Sequence, residues 1–199
     1  MTIDSPPVLH TVVLAAGASR RYGSPKQLAR LAGQTLLEGA TARALALGAG
    51  PVTVVLGCGA AQLAPLLRRS AASVRINRDW EEGMASSLRL VANDVDGQCD
   101  GLLVTLVDQP AVTVVDLQRL QEVWMSRSGS IVAAAYSGTV GVPAIFPASC
   151  LAQLGALRGD AGARTVLQRH LDSLLRVPMP AAEWDIDHPE DLQALAQSP

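Results

Sequence analysis

Residues 12–26 of the chain read V-V-L-A-A-G-A-S-R-R-Y-G-S-P-K. The stretch begins inside an apolar run at residues 9–15, which has the length and composition of a strand buried on both faces of a parallel sheet. It then opens into a loop that contains two glycines and ends on a lysine. Because open parallel sheets bind ligands beyond the carboxyl ends of their strands, this loop is the first candidate for a binding site.

The loop is chemically suited to a polyphosphate. Gly17 and Gly23 let backbone N–H groups approach phosphate oxygens, because glycine has no Cβ. Ser19 offers a hydroxyl, Arg21 a planar fork of donors and Lys26 a mobile point charge. The spacing G-x5-G-x2-K matches neither the Walker loop nor the dinucleotide fingerprint. The alternative is an ordinary strand-to-helix turn with solvated basic side chains.

Length and composition indicate one globular domain. A chain of 199 residues can bury one sizeable core, and 49% hydrophobic against 17% charged residues exclude a disordered chain. The formal net charge is −2, which gives no overall attraction to nucleic acid or to anionic membranes. We therefore expect neither of them as a partner.

The cysteines and the apolar segments bear on the cell compartment. Cys58, Cys99 and Cys150 are odd in number and lack C-x-x-C spacing, so they predict neither a disulfide framework nor a zinc site. Free thiols are expected in a reducing cytoplasm. No segment resembles a signal peptide, and no apolar stretch approaches 18 residues. The sequence predicts a cytoplasmic protein.

Apolar runs and helical patterns alternate along the first half of the chain. Helices are predicted at 35–47, 60–69 and 84–92, and strands at 51–56, 74–77 and 102–107. This alternation predicts an α/β fold with a doubly wound, mostly parallel sheet.

The second half of the chain has a different pattern. Thr113 is the predicted N-cap of a helix that ends near Met125, with Asp116 completing a capping box. The runs 131–136 and 142–146 flank Ser-Gly-Thr and predict a small antiparallel insertion. A late strand at 174–177 and a helix from Pro189 follow.

Acidic residues follow two of these segments. Asp108 comes directly after an apolar strand, on the same edge as the glycine loop, and its hard oxygen suits Mg²⁺. A turn-forming aspartate before Gln-Pro is the alternative. Asp185 and Asp187 are two positions apart, which predicts that they face the same side of a short strand, because side chains alternate between the two faces. One of them is then expected to complete the metal shell. The alternative for Asp187 is a cap for the helix that starts at Pro189.

Three motifs resemble one known family. L-A-A-G-x-S-x-R-x-G-x-x-K at 14–26 resembles the signature of nucleotidyltransferases with a Rossmann-like fold, which include sugar-phosphate and molybdenum cofactor nucleotidyltransferases. N-x-x-W-x-x-G-M-x-x-S at 77–87 and D-I-D-x-P-E-D at 185–191 resemble segments of the molybdenum cofactor cytidylyltransferase branch. The resemblance extends over nearly the whole chain.

The resemblance implies an activity and a substrate pair. The expected reaction transfers CMP from CTP to the terminal phosphate of molybdenum-molybdopterin and releases pyrophosphate, with Mg²⁺ as the cofactor. Ala16 stands where the guanylyltransferase branch tends to have glycine, which favours CTP over GTP. A transient contact with an apo-molybdoenzyme is also implied. The alternatives are GTP, a sugar or another phosphate acceptor, and a non-catalytic nucleotide-binding chaperone.

The resemblance also implies roles for individual residues, each beside a plainer interpretation. The alternative for Ser86 and Ser87 is a helix N-terminus, and the alternative for Arg89 is a solvated helix charge. The expected catalytic residues are Lys26, Arg21 and Asp108, and the expected metal ligands are Asp108 and Asp187. The expected nucleotide-binding residues are Leu14, Ala15, Ala16, Gly17, Ser19, Lys26, Asn77, Gly83, Ser86 and Ser87. Gly159, Asp160 and Arg164 are expected to bind the acceptor, with a glycine-rich turn as the alternative.

We expect a single domain over residues 1–199. Within it, residues 1–7 form a loose tail, residues 8–110 a nucleotide-binding half and residues 111–199 an acceptor-binding half.

Overall fold

The structure is a computed structural model that describes residues 6–197. Most of the predicted tail at 1–7 therefore lies outside the described residues. Over residues 6–197, no helix combines the length and the apolar character that a membrane crossing requires. All three cysteines are free thiols, as predicted.

Two sheets are present within residues 6–197. Seven strands form the main sheet in the order β5-β4-β1-β6-β8-β7-β9, and β2 and β3 form a separate antiparallel pair. The strands are β1 (Leu9–Ala15), β2 (Arg30–Leu31), β3 (Gln34–Thr35), β4 (Val52–Leu56), β5 (Ser73–Ile76), β6 (Gly101–Leu106), β7 (Val132–Tyr136), β8 (Thr139–Pro147) and β9 (Leu175–Pro178). β1, β4, β5 and β6 run parallel, whereas β8 runs antiparallel to β6 and β7. The predicted mostly parallel sheet with an antiparallel insertion is confirmed.

Helices flank the main sheet. They are α1 (Leu36–Ala46), α2 (Ala60–Leu63), α3 (Met84–Val95), α4 (Val114–Ser126), α5 (Leu151–Gly155), α6 (Ala163–Arg169) and α7 (Pro189–Gln197). The predicted capping box of α4 is present, since the Thr113 hydroxyl accepts from the backbone N–H of Asp116 at 3.2 Å and the Asp116 carboxylate accepts from the backbone N–H of Thr113 at 2.9 Å. These reciprocal bonds satisfy N–H groups that the first turn of a helix leaves without partners.

Alternate side chains of β1 lie in two different hydrophobic clusters. Val12 and Leu14 pack with residues of α3, α5 and α6, whereas Val13 and Ala15 pack with residues of α1 and α2. β1 is therefore covered on both faces, which explains why its sequence is a continuous apolar run instead of an alternating one. A third cluster packs α4 against β7 and β8, with Trp124 fully buried.

The structure departs from the predictions at three places. The predicted helix at 60–69 is α2 followed by a 3₁₀ turn at Ala64–Leu67, because Pro65 has no N–H to continue the α-helical pattern. The short β2–β3 pair was not predicted. The predicted strand at 185–187 is wrong: the segment carries no strand, and the backbone N–H groups of Asp187 and His188 donate to the Asp191 carboxylate at 2.9 and 2.7 Å instead.

Candidate functional site

The carboxyl ends of β1 and β6 lie side by side, because Leu14 pairs with Leu106 in the parallel register. The glycine loop that follows β1 and the Asp108 turn that follows β6 therefore meet at one edge of the sheet. Both line a cleft of about 510 Å³. The parallel pairing of β1 with β6 thus brings the two strongest sequence candidates, the glycine loop and Asp108, to the same cleft.

Lys26 is the centre of a charged cluster, which we define as Arg21, Lys26, Asp108 and Asp187. Lys26 Nζ lies 2.6 Å from Asp108 Oδ2 and 3.4 Å from Asp187 Oδ1, and it donates to the carbonyl oxygen of Ile186 at 2.9 Å. Arg21 Nη1 lies 2.9 Å from Asp187 Oδ2. The cluster joins three segments that are more than 75 positions apart in the sequence.

The ion pairs of the cluster differ in exposure. The side chains of Lys26 and Asp108 are 12% and 18% exposed, whereas that of Arg21 is 74% exposed. Partial burial works to lower the pKa of Lys26, but the charges and hydrogen bonds of Asp108 and Asp187 outweigh it and raise that pKa. Lys26 is therefore a fixed cation, while the exposed Arg21 pair is screened by water.

Negative charge exceeds positive charge around Lys26. Asp185 is an exposed residue, yet desolvation of its carboxyl group and, next, repulsion from Asp108 raise its pKa to about 6. Asp185 thus adds a third carboxyl group beside Asp108 and Asp187, the two that pair with Lys26 and Arg21. Such a surplus attracts a further cation.

The donor set fits a divalent metal ion. Asp108 Oδ1 is buried and has no hydrogen-bond partner, and such an oxygen is costly unless a cation or water satisfies it. Mg²⁺ is usually held by one or two carboxylates together with substrate phosphates. Within residues 6–197 no three acidic, histidine or cysteine side chains form a ready-made metal cage, so the remaining ligands would come from the substrate and water.

The Asp187 segment is held by its neighbours. Ile186 is 1% exposed, and its N–H donates to the backbone oxygen of Asp108 at 2.9 Å. The Asp191 carboxylate accepts from two N–H groups at the start of α7, and these backbone bonds lower the pKa of Asp191. Asp187 is thus positioned by a helix N-terminus and by the end of β6.

Gln27 is the main residue that sequence reasoning missed. It directly follows Lys26 and is 1% exposed. Its Nε2 donates to the backbone oxygens of Ala15 and Gly17 at 3.0 and 2.8 Å, and its Oε1 accepts from the Ser19 hydroxyl at 3.2 Å. No spacing rule singles out a glutamine of this kind, because its partners are backbone atoms of a loop whose path is unknown before the fold is known.

Asn77, Ser86 and Ser87 form a buried group, which we call the serine network. Asn77 Nδ2 donates to the hydroxyls of Ser86 and Ser87 at 2.7 and 3.0 Å, and Ser86 donates to the backbone oxygen of Gly83 at 2.8 Å. All three residues are at most 4% exposed. Of the three, Ser87 alone lines the cleft, so a contact of Asn77 and Ser86 with a nucleotide stays a prediction.

Gly83 lies where two segments meet. Its φ is +112°, and a Cβ there would come within 2.5 Å of Asp160 Oδ1 and 2.6 Å of the backbone oxygen of Gly159. Any side chain at this position would therefore force the segment before α3 away from the loop before α6. Gly83 and Asp160 both line the cleft.

An ion pair joins the same two segments. Arg89 pairs with Glu82 at 2.5 Å and donates to the backbone oxygen of Leu157 at 3.1 Å, while the N–H of Gly159 donates to Glu82 at 3.3 Å. The interpretation of Arg89 as a solvated helix charge is therefore wrong. The hydrogen bond from Arg89 outweighs desolvation and lowers the pKa of Glu82 to about 2.

The structure separates Arg164 from the other predicted site residues. Its Nη2 donates to the Thr139 hydroxyl at 2.8 Å, and it lines a different groove of about 640 Å³ beside the β7–β8 turn. Most of the other predicted residues line the main cleft: Leu14, Ala15, Ala16, Gly17, Ser19, Arg21, Lys26, Gly83, Ser87, Asp108, Asp160 and Asp187. Trp80 and Met84 also line it and were not assigned from the sequence.

Comparisons with known proteins agree with this geometry. Residues 11–174 match the family described as the MobA-like NTP transferase domain. The chain is 35% identical over 173 residues to nicotine blue oxidoreductase of Paenarthrobacter nicotinovorans, which covers 82% of this chain and 83% of that protein. It is 28% identical over 197 residues to the purine catabolism protein PucB of Bacillus subtilis strain 168, which covers 93% and 94%.

A solved structure has the same fold. The crystal structure of Rv0371c from Mycobacterium tuberculosis H37Rv superposes with a TM-score of 0.84 at 28% identity, over 96% of this chain and all of that chain. Rv0371c has also been solved in complex with manganese, and that structure superposes with a TM-score of 0.80 at 26% identity. Binding of a divalent metal by a similar protein is consistent with the donor set around Asp108.

Proposed function

The chain belongs to the family of MobA-like NTP transferase domains, and we propose that it transfers CMP from CTP to the terminal phosphate of molybdenum-molybdopterin and releases pyrophosphate. One observation carries the proposal. The glycine loop after β1 and the charged cluster share one cleft of about 510 Å³, which supports a site where backbone N–H groups, cations and carboxylates act on one triphosphate.

The proposed reaction needs no protein nucleophile. An oxygen of the acceptor phosphate forms a bond to the α-phosphorus of CTP, and the bond from that phosphorus to the bridging oxygen of the β-phosphate breaks. The electron pair leaves with pyrophosphate. Because the second pKa of a phosphate monoester is about 6, the attacking oxygen is already anionic at neutral pH. Catalysis then depends on positioning and charge neutralisation.

Lys26 and Arg21 would neutralise the charge that collects on pyrophosphate. Both now pair with Asp108 or Asp187, so these pairs must loosen when phosphate oxygens enter the cleft. Asp108 and Asp187 would hold the Mg²⁺ ion, which supplies Lewis-acid polarisation of the phosphate when it is bound. The two carboxylates also keep the lysine extended towards the cleft before the nucleotide arrives.

The preference for CTP is proposed from Ala16. This residue lines the cleft and is 8% exposed, and its backbone oxygen is fixed by the N–H of Cys58 at 3.0 Å. Its methyl group takes up space that a glycine would leave to a larger purine. The resemblance of the 77–87 segment to the cytidylyltransferase branch favours the same base.

The acceptor is proposed to bind on the side of the cleft formed by residues 111–199, next to Gly159 and Asp160. Arg164, which lies in the neighbouring groove, would serve an outlying part of the acceptor. We place the reaction in the cytoplasm, where the product would pass to an apo-molybdoenzyme.

A second candidate is a redox reaction. It is favoured by the 35% identity to a protein named nicotine blue oxidoreductase. The cleft supports nucleotidyl transfer better, since its polar groups are the cations, carboxylates and loop N–H groups that a metal-bound triphosphate requires.

Pyrophosphate release by the purified protein tests the proposal. CTP, GTP, ATP and UTP are compared with Mg²⁺ and molybdenum-loaded molybdopterin, and the pterin is omitted in a control. We expect pterin-dependent release with CTP above the other nucleotides. A preference for GTP would correct the base, and no release with any nucleotide would reject the transferase proposal in favour of the redox reaction or a binding role.

A further inference from the structure

Gln27 uses all of its hydrogen-bonding groups on one loop. Its two amide hydrogens go to the backbone oxygens of Ala15 and Gly17, and its oxygen accepts from Ser19. Gln27 borders the cleft, but it is only 1% exposed and these three bonds engage its amide group. Whatever it contributes to the reaction must therefore pass through the loop.

The direction of the loop's peptide groups decides what the loop can bind. A loop binds anions when successive N–H groups face the ligand and the carbonyl oxygens face away. Gln27 Nε2 engages the carbonyl oxygens of Ala15 and Gly17, so these two oxygens are held by a protein donor and are not free to turn towards an anion in the cleft. Because each carbonyl is part of a planar peptide unit, fixing its oxygen also fixes the N–H of the following residue.

Ser19 supplies a second sign that the loop is held in place. Its φ is +54°, a left-handed conformation that non-glycine residues rarely adopt without support from their surroundings. The hydrogen bond to Gln27 Oε1 and the bond from the N–H of Gly23 to the Ser19 backbone oxygen, at 3.2 Å, provide that support. At Gly17, by contrast, a Cβ would meet nothing within 4 Å, so that side of the loop is open to a ligand.

We propose that Gln27 is a positioning residue that holds the 15–19 loop in the conformation that binds the β- and γ-phosphates of the nucleotide. The inference rests on the proposed function only in taking a nucleoside triphosphate as the ligand. Lys26 and Gln27 are neighbours in one 3₁₀ turn, Lys26–Leu28. The turn therefore supplies a cation directly and shapes the loop through the adjacent side chain.

Gln27→Met tests the proposal, because methionine has a similar volume and no amide. Binding of CTP and of CMP, each with Mg²⁺, is measured by calorimetry on the wild type and the variant. We expect CTP affinity to fall about 10-fold or more, since small misplacements of a binding group are costly, and CMP affinity to change less than about 2-fold. The loss should appear in KM for CTP more than in kcat.

Thr105→Val is the matched control. The Thr105 hydroxyl also donates to a β1 carbonyl, that of Val12 at 2.9 Å, and Thr105 is 7% exposed but lies outside the cleft. This variant should lower Tm and leave the affinities for CTP and CMP unchanged. Gln27→Glu, which keeps an acceptor for Ser19 but cannot donate to the two carbonyls when ionised, repeats the test if Gln27→Met does not fold.

The outcomes separate the two proposals. Unchanged CTP affinity in a folded Gln27 variant, or equal losses for CTP and CMP, overturns the positioning role. A wild type that binds CTP but does not turn over with the pterin rejects the proposed function and leaves the inference standing. A wild type that binds neither nucleotide overturns both.

Discussion

The charged cluster and the serine network lie against the same cleft but are built in opposite ways. The cluster consists of two cations and two carboxylates, is partly open to solvent at Arg21 and Asp187, and leaves Asp108 Oδ1 without a partner. The serine network is neutral and at most 4% exposed, and Asn77 donates to both of its serines. Both groups stand out in the sequence as site residues, yet of the two only the first contains a buried polar atom without a partner.

The difference indicates whether each group contributes mainly to the stability of the fold or to ligand binding. A network whose members satisfy one another contributes mainly to the stability and shape of the wall. A cluster with solvent-exposed charged groups and a buried oxygen that has no partner gains most when a ligand arrives, because the ligand supplies the missing partner. Substitutions in the cluster should therefore change turnover, and substitutions in the network should change stability, except at Ser87, which also lines the cleft.

Lys26→Ala should give the largest effect. We expect kcat for pyrophosphate release to fall at least ~100-fold, the loss typical of a preorganised charge-stabilising donor, with the circular dichroism spectrum unchanged. Arg30→Ala is the control, because Arg30 carries the same charge, is exposed and bonds only to the backbone of Gly33 among the contacts described. Ordinary turnover by folded Lys26→Ala protein would remove Lys26 from the mechanism.

Asp108→Asn should weaken the metal dependence of turnover. The substitution keeps the size of the side chain but removes the charge that would hold the cation. We expect the Mg²⁺ concentration for half-maximal activity to rise about 10-fold or more. A Mg²⁺ titration curve that coincides with that of the wild type would show that Asp108 does not hold the metal. It would also contradict the proposal that the charged cluster is the ligand-binding group of the two.

The sequence predicted the fold well because its signals are local. The continuous apolar runs of β1 and β6 predict strands buried on both faces, and the Thr113–Asp116 spacing predicts the start of α4. The meeting of Lys26 with Asp108 was also predictable, since both follow parallel strands and such strand ends share one edge of the sheet.

Other parts of the site depend on non-local geometry. The role of Gln27 requires the path of the loop, and the pairing of Arg89 with Glu82 requires the approach of the loop before α6. The strand predicted at 185–187 failed because Asp191 captures the N–H groups of Asp187 and His188. Alternation in the sequence carries no information about such a competing partner. The glycine and acidic residues near Arg164 likewise did not predict its hydrogen bond to the Thr139 hydroxyl.

Asn77→Ala tests whether the serine network contributes to stability and not to turnover. The substitution removes the donor shared by Ser86 and Ser87, so the free energy of unfolding should fall by about 1 to 2 kcal/mol, measured by urea denaturation. The kcat of the folded protein should stay within a few-fold of the wild type.

Ser86→Ala and Ser87→Ala form a matched pair within the network. Ser86 donates to the backbone oxygen of Gly83 and is not among the residues that line the cleft, whereas Ser87 is. We expect the KM for CTP to rise in Ser87→Ala and not in Ser86→Ala. A large loss of kcat in Asn77→Ala would contradict the division between the two groups, and equal KM values for the two serine variants would remove Ser87 from the nucleotide-binding surface.

Glu82→Gln should give the smallest effect, and its signature is pH dependence. The hydrogen bond from Arg89 lowers the pKa of Glu82 to about 2, below the unfolded value of about 4.3. The ion pair therefore stabilises the fold fully above the unfolded pKa, and this stabilisation is lost as pH falls towards 2. The Tm difference between wild type and Glu82→Gln should be constant from pH 8 to about pH 5 and should shrink below it.

The neighbouring Glu81→Gln is the control, since Glu81 has no ion pair among those described for residues 6–197, and its Tm difference should lack this pH dependence. Because the pair is exposed, its contribution is small and salt-sensitive. A Tm difference that stays constant down to pH 3 would show that the two segments are joined by the backbone bond from the N–H of Ala85 to the oxygen of Gly159, at 3.2 Å, instead of by the ion pair.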